Sequence, residues 1–353
     1  MKKLAIVLLV ALLVAALPVA CLAEADKPLA GSEIKVYNWG DYIDPDVLGI
    51  FEEETGIHVN YVTFSQNEDM YTRLSTGAEV YDVVIPSEYM IERLIKEDLI
   101  AELNLDNIPN LENVLDSLRD PIYDPGNAHS IPYMWGTLGI VYNTGMVEEP
   151  ITSWNALLDE RYAGEIFMMD SMRDTVAIGL IMNGYSVNSD SEEELEAARE
   201  WLLAQKDSGV VDGYILDQAK DMMAGNEAAM AVMYSGDALY AMEKNEALAY
   251  VIPDEGSNIW VDGMCVPTVS ENKEAAECFI NFMCRPDIAQ KNMEYIYYSS
   301  PIKQVVEGLS EEEMASTAMN PTDDMVARCE YYVDYSTFEN AWLYDDIWMD
   351  VLM

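Results

Sequence analysis

Three observations place the chain in the α/β class. Short apolar strands alternate with amphipathic helical stretches, helix-start and helix-stop residues punctuate them in phase, and no repeat or low-complexity segment breaks the series. That alternation predicts βαβ units in a doubly wound sheet. Half of the residues are apolar, enough for a sizeable core, and the about 330 residues beyond the N-terminal segment suffice for two lobes.

The elements follow in chain order. Residues 34–38 read as a strand. Asp44 then caps a helix with Pro45 in its first position, Val47, Leu48 and Phe51 on one face, and Gly56 as its stop. Residues 57–64 return as a strand. Ser65-Gln66-Asn67-Glu68 has the spacing of a capping box and opens a helix through Met70 and Leu74 that ends near Gly77. Residues 81–86 are a short apolar run of the kind buried in parallel sheets, and Ser87 caps the next helix, with Met90, Ile91, Leu94 and Ile95 inward. A loop rich in Pro, Asn and Asp covers 106–127. Residues 130–143 read as one extended segment interrupted by Gly136 and Gly139, a length that suits a crossing between lobes. A second series begins with a strand at 165–169 and a helix from Arg173. Ser191-Glu192-Glu193-Glu194 is another capping box, opening an acidic helix to residue 204. Residues 228–235 form a strand leading into Gly236 and a helix over 237–244. Two further extended pieces, 248–253 and 258–266, return the chain to the first lobe. Helices over 272–284 and 286–295 come next, and 323–353 reads as a helical, aromatic tail.

The N-terminus is a targeting segment rather than a fold element. Met1-Lys2-Lys3 before an apolar run to Ala20 reads as a secretory signal covering residues 1–25. Ala23-Glu24-Ala25 offers a signal-peptidase exit. Alternatively, Cys21 could carry a lipid, although Pro18 stands where a leucine is expected. Either exit places the chain in the periplasm or on the outer face of a membrane. No later apolar run is long enough to span a bilayer.

Acidic residues outnumber basic ones 64 to 19, for a net charge of −45. Phosphate backbones would repel such a chain, which excludes nucleic acid as a partner, whereas a field of this sign attracts cations. Cys265, Cys278, Cys284 and Cys329 match no metal or redox spacing and read as buried small hydrophobes. With His58 and His129 as the two histidines, neither a histidine-rich metal site nor a Ser-His-Asp triad is supported. No P-loop, GxGxxG, GxSxG or HExxH motif stands in the chain, and neither a cofactor nor a metal is expected.

In open α/β sheets, ligands sit beyond the carboxyl ends of the strands. Trp39, Asp41 and Tyr42 follow the first strand, Ser87 and Tyr89 the third. Asp170, Ser171, Arg173 and Asp174 follow 165–169, and Tyr234 and Asp237 follow 228–235. Trp260 and Asp262 lie two apart in the last crossing strand and so share a face. Each has an ordinary structural account: Asp170 as a cap, Asp174 as a partner of Arg173 or the helix dipole, Tyr234 and Trp260 as core. Recurrence at five strand ends, with no cluster of Lys or Arg, instead describes a box for a flexible organic cation, held by aromatic faces and carboxylates.

Several motifs carry a resemblance. Tyr37-Asn38-Trp39-Gly40-Asp41-Tyr42-Ile43, Glu54-Thr55-Gly56-Ile57-His58-Val59, Tyr81-Asp82-Val83-Val84-Ile85-Pro86-Ser87, Ile131-Pro132-Tyr133-Met134-Trp135-Gly136 and Trp260-Val261-Asp262, in that order, resemble the spermidine/putrescine-binding proteins of polyamine ABC importers. The resemblance implies a two-lobed, periplasmic-binding-protein-like (type II) fold with a ligand cleft between lobes. One lobe would hold residues 33–132 with 257–305, the other 133–256 with 306–353. It further implies a monomer, not an enzyme, that captures a polyamine and passes it to the membrane permease of an ABC importer. Position by position, Trp39, Tyr42, Tyr89, Tyr234 and Trp260 would wall the methylene chain. Asp174 and Asp262 would meet amines, Ser87 would lie near the ligand, and Asp41 would sit at the cleft mouth. Ser171 stands where spermidine-preferring relatives carry an acid, Tyr234 replaces a more usual tryptophan, and Asp237 falls where putrescine-preferring relatives place an acid. These departures favour a diamine, with spermidine still open. The family's C-terminal ligand contact has no assignment within residues 330–335. Gly136 and the turn at 253–256 are candidate hinges for closure.

Two other readings stay open. The adjacent pairs Tyr331-Tyr332 and Tyr297-Tyr298 could furnish hard oxygen ligands in a ferric-iron receptor. Asp262 with Cys265, or Asp170 with Asp174, could serve as an acid/base or nucleophile pair in an enzyme on the same fold.

Overall fold

The computed structural model describes residues 27–353, so the expected signal segment, residues 1–25 with Cys21, lies outside the described residues. Among the described residues the strands are β1 (Glu33–Trp39), β2 (His58–Phe64), β3 (Val83–Val84), β4 (Ser130–Asn143), β5 (Ile166–Met169), β6 (Val211–Ile215), β7 (Met230–Tyr234), β8 (Leu248–Val251), β9 (Ser257–Cys265) and β10 (Cys329–Glu330). They join in the order β2-β1-β3-β9-β4-β7-β5-β6, with β8 on β4 and β10 on β9.

Two parallel groups flank an antiparallel centre. β1 pairs in parallel with β2 and β3, and β5 with β6 and β7. Between them, β4 and β9 run antiparallel to each other, and β9 is antiparallel to β3. β4 changes partners along its length. Its first half, from Ser130 to Thr137, pairs with β9, whereas Leu138 to Asn143 pairs with β7 and β8. A single strand therefore serves two sheets, as its expected crossing role requires, and the two-lobed α/β class follows from this arrangement.

The exchange of partners falls where Gly136 stands. A Cβ there would come within 2.7 Å of both Ser235 Oγ and Trp260 Cζ2, so only glycine fits between the two neighbouring elements. Just after Tyr42, the helix Pro45–Thr55 begins as its sequence dictates: Asp44 accepts from the Asp46 N–H, and Gly56 closes the helix at φ +73°. Its buried Val47 and Phe51 pack with Phe279 and Phe282 of the helix Lys273–Met283. On the second lobe, the helix Ala341–Leu352 lays Leu343, Tyr344, Ile347 and Val351 against Val176, Leu180, Leu195 and Leu202 of the helices Met172–Met182 and Glu192–Ser208.

Several local expectations are corrected. Neither expected capping box forms. Gln66 occupies the cap of the helix Asn67–Thr76 and Ser191 that of Glu192–Ser208, both without a side-chain bond to the helix. In the first case Glu68, the acidic member of the box, accepts instead from the Tyr89 hydroxyl at 3.0 Å. In the second, Glu194 accepts from Ser189 Oγ rather than returning to the cap. A complete box instead opens the short helix Glu311–Ala315 at Ser310 and Glu313. The tail is not continuously helical: a turn of helix at Asp323–Val326 leads into β10, which pairs in parallel with β9, before the final helix. β6 and the helix Gln218–Ala224 were not expected at all, because β6 ends the sheet, stays half-buried and carries Asp212 and Gly213 instead of an apolar run.

Candidate functional site

The first wall of the site begins at the end of β1. Trp39 is followed by Asp41, whose φ of +49° turns the chain sharply, a conformation that short polar side chains tolerate better than most. The turn is then pinned from below. The Tyr133 hydroxyl donates to the Tyr42 carbonyl at 2.5 Å, Asn292 Nδ2 donates to that hydroxyl at 3.0 Å, and the Asp44 N–H donates to Asn292 Oδ1 at 2.9 Å. Tyr42 is thereby fixed in place before any ligand arrives.

A cavity of about 430 Å³ opens beyond the carboxyl ends of β1, β3, β5, β6 and β7, between the two lobes. Trp39, Asp41, Tyr42, Ser87, Tyr89, Ser171, Asp174, Tyr234, Asp237, Trp260 and Asp262 all line it. The strand ends and β9 thus bring together every residue that the resemblance names as a ligand contact. Much of one wall is a continuous series of rings packed edge to face. Tyr133 meets Tyr42 (centroids 5.3 Å apart), Tyr42 meets Tyr298 (5.3 Å), Tyr298 meets Trp260 (5.4 Å) and Trp260 meets Tyr234 (5.8 Å). This geometry suits the ring quadrupoles and leaves flat apolar surface facing the cavity.

Carboxylates interrupt that wall, and their partners differ. Asp262 is buried and accepts from Ser87 Oγ at 2.7 Å. Burial pushes its pKa up to about 7, opposed by the hydroxyls of Ser87 and Tyr42. The Tyr42 hydroxyl lies near enough to act on that carboxylate without completing a hydrogen bond. Asp174 is buried and accepts from three hydroxyls, Ser171 Oγ at 2.6 Å, Tyr234 OH at 2.7 Å and Tyr332 OH at 3.0 Å. Burial raises its pKa, and the three hydroxyls together with the Arg173 charge hold it down. Asp237 is mostly buried, and its pKa is likewise raised by burial, but its partner is a charge: Lys220 Nζ lies 3.3 Å from Oδ1.

Ser87 shows how local structure gives way to the site. It occupies the cap of the helix Glu88–Lys96, as its sequence position predicts, yet makes no capping bond. Its hydroxyl goes to Asp262 instead. Beneath it, the fully buried Glu88 accepts from the N–H of Val261 at 3.1 Å and of Tyr332 at 3.2 Å, tying β9 to the C-terminal segment. Burial lifts Glu88 to about 8, against the pull of those N–H donors.

Sequence reasoning missed several lining residues. Tyr298 and Tyr332, weighed only as metal ligands, are two of them: Tyr298 follows the helix Pro286–Ile296, and Tyr332 lies just past β10, within residues 330–335, where the family's C-terminal contact has no assignment. Lys220 follows the unrecognised β6; had that strand been found, the strand-end rule would have reached it. Arg173 was quoted without a role. It is buried with its guanidinium carbon 4.5 Å from the Tyr332 ring centroid, 4.7 Å from that of Tyr335 and 5.1 Å from that of Tyr344. One amine nitrogen reaches Asn188 Oδ1 at 3.2 Å.

The chemistry offered elsewhere is weaker. Burial and neighbouring carboxylates push the Tyr298 and Tyr332 hydroxyls well above the usual phenol range. Tyr297 turns away and bonds Glu243. Among the described residues, no group of three or more His, Cys, Asp or Glu is placed to hold a metal ion. Burial also pushes the Cys265 thiol up, the opposite of what a nucleophile needs. Among the described residues no helix is long and apolar enough to cross a membrane.

The chain is similar to known proteins over most of its length. The family profile for bacterial extracellular solute-binding proteins matches residues 48–322. The spermidine/putrescine-binding periplasmic protein of Escherichia coli is 32% identical over 300 residues, covering 84% of this chain and 86% of that one. A putrescine-binding periplasmic protein of Pseudomonas aeruginosa is 30% identical over 320 residues, covering 85% and 87%. Among solved structures, the spermidine/putrescine ABC transporter substrate-binding protein of Streptococcus pneumoniae is 40% identical, with a TM-score of 0.80 over 91% of this chain and 99% of that one.

Proposed function

The chain belongs to the bacterial extracellular solute-binding proteins, among the spermidine/putrescine-binding members, and we propose that it captures a polyamine outside the cytoplasm and delivers it to the membrane permease of an ABC importer. It binds and releases its cargo without altering it, as a monomer that closes about the strands β4 and β9.

One observation carries this reading. Two buried carboxylates, Asp174 and Asp262, face an aromatic cavity with hydroxyls as their hydrogen-bond partners and pKa values raised by burial. Hydroxyls orient a carboxylate without neutralising it, and only at Asp174 does a protein charge, that of Arg173, also act. An ammonium entering the cavity would supply the neutralising charge, and the carboxylates would repay its desolvation, which otherwise costs several kcal/mol. The rings between them accept methylenes on their faces and add cation–π attraction at the ends. In this arrangement Trp39, Tyr42, Tyr89, Tyr234 and Trp260 wall the chain, Ser87 and Ser171 orient the two carboxylates, and Asp41 shapes the field at the mouth.

Thermal-shift measurements with putrescine, cadaverine, spermidine and spermine test the proposal. A ligand at about a hundred times its Kd stabilises the folded state by about 2.7 kcal/mol, a shift of several degrees. No shift with any of the four would remove polyamines as the cargo.

A further inference from the structure

We propose that Lys220 sets the number of amines that the cleft accepts, and that its preferred cargo is a diamine. The inference rests on the polyamine reading above and deepens it.

Among the acidic residues that line the cavity, Asp174, Asp237 and Asp262 are not equivalent. Asp174 and Asp262 take their hydrogen bonds from hydroxyls, so neither is joined to a protein ammonium, although the Arg173 charge also acts on Asp174. Asp237 already has an ammonium. Lys220 Nζ sits 3.3 Å from it, and the two side chains are only 18% and 17% exposed, so this is not a solvated surface pair. Lys220 projects from the helix Gln218–Ala224, just beyond β6, and its ammonium lies 5.3 Å from the Tyr240 ring centroid. Asp217 and Asp41 also act on it, but both are exposed at the mouth and solvated by water.

A protein cation thus occupies a wall carboxylate that would otherwise be open to a further amine. A diamine can place one ammonium at Asp174 and one at Asp262 without disturbing Lys220. A triamine must either expel Lys220 from Asp237 or bring its third ammonium beside a like charge. Both options count against the longer ligand while leaving the shorter one unaffected, which is how a repulsive element creates specificity. Asp237 accordingly contributes by holding Lys220 rather than by holding cargo.

Calorimetry with putrescine and spermidine on the whole protein, Lys220→Gln and Lys220→Arg tests this. The unaltered protein is expected to bind putrescine at least about tenfold more tightly than spermidine. Lys220→Gln should shift the ratio at least about tenfold towards spermidine, chiefly by strengthening spermidine binding, and Lys220→Arg should restore the original ratio. An unchanged ratio in Lys220→Gln, with both ligands still bound, overturns the role of Lys220 and leaves the polyamine reading standing. So does an equal loss of affinity for both ligands with a lowered melting temperature, which would mark Lys220 as structural support. An unaltered protein that binds spermidine more tightly overturns the diamine preference, and one that binds neither ligand overturns the polyamine reading itself.

Discussion

The Ser87 hydroxyl donates to the Asp262 carboxylate at 2.7 Å, joining the first turn of a helix to the strand that crosses between lobes. Among the described residues Ser87 is the one donor that completes a hydrogen bond to this carboxylate, and it also receives a bond from Asn67. Its removal should raise the Asp262 pKa further. Ser87→Ala is therefore expected to weaken putrescine binding about five- to tenfold near neutral pH, in keeping with a hydrogen bond to a charged group. The deficit should shrink by about pH 8.5, where the carboxyl ionises regardless. A deficit independent of pH would mean that the hydroxyl contacts the ligand rather than tuning Asp262.

Asp262→Asn keeps an acceptor for Ser87 while deleting the charge. Putrescine affinity should fall at least about tenfold by calorimetry. The melting temperature of the empty protein should hold steady or rise slightly, because the variant no longer ionises a buried acid. Unchanged affinity would remove Asp262 from the site.

The empty protein should lose stability as pH rises from about 5 to about 8. An acid whose pKa is raised on folding binds more protons folded than unfolded between its two pKa values, so stability declines as pH climbs through that interval. For Asp262 the interval runs from 3.8 to about 7, and for Glu88 from 4.5 to about 8. The acids whose pKa values are lowered, such as Asp116 and Asp287, act in the opposite sense but below the ordinary carboxylate range. Putrescine favours ionised Asp262, so its binding near pH 7 should release protons, measurable as a dependence of the calorimetric heat on buffer ionisation enthalpy. Heats that are identical across buffers would contradict this coupling.

Gly136→Ala should disturb the hinge and the cleft together. Its Cβ would collide with Trp260 and with Ser235, whose Oγ accepts from the Thr137 N–H at 3.3 Å. Overpacking of this kind costs about 1–3 kcal/mol. Denaturant unfolding should register the loss, and putrescine affinity should fall with it because Trp260 must shift. A variant of unaltered stability and affinity would show that the two strands move apart freely there.

Much of this site was legible because strand ends, unlike strand pairings, can be located from one-dimensional patterns. Trp39, Tyr89, Asp174 and Trp260 follow or occupy apolar runs, and position alone directs them to a common face. The capping boxes misled for a related reason. Spacing identifies side chains able to cap, but Glu68 has another partner in the Tyr89 hydroxyl, and only the tertiary structure supplies it. Lys220 escaped because an edge strand half open to water carries no apolar signature. Tyr298, Tyr332 and Glu88 enter through contacts with residues far away in sequence, which no local pattern records. The long extended segment 130–143 was recognised by its length, but its division between two sheets depends on where β7, β8 and β9 lie.

β9 occupies the middle of the first-lobe sheet, with β3 on one side and β4 on the other. In that position Val84 and Ser130 both pair with Cys265. A chain that emerges N-terminus first therefore cannot complete its first lobe while residues before 257 alone are available. Until then β3 and β4 lack their shared neighbour, and closing such distant pairings is intrinsically slow. The topology that makes two strands the bridge between the parallel groups also postpones folding until most of the polypeptide has been delivered, leaving an interval in which the chain is still loose enough to be threaded.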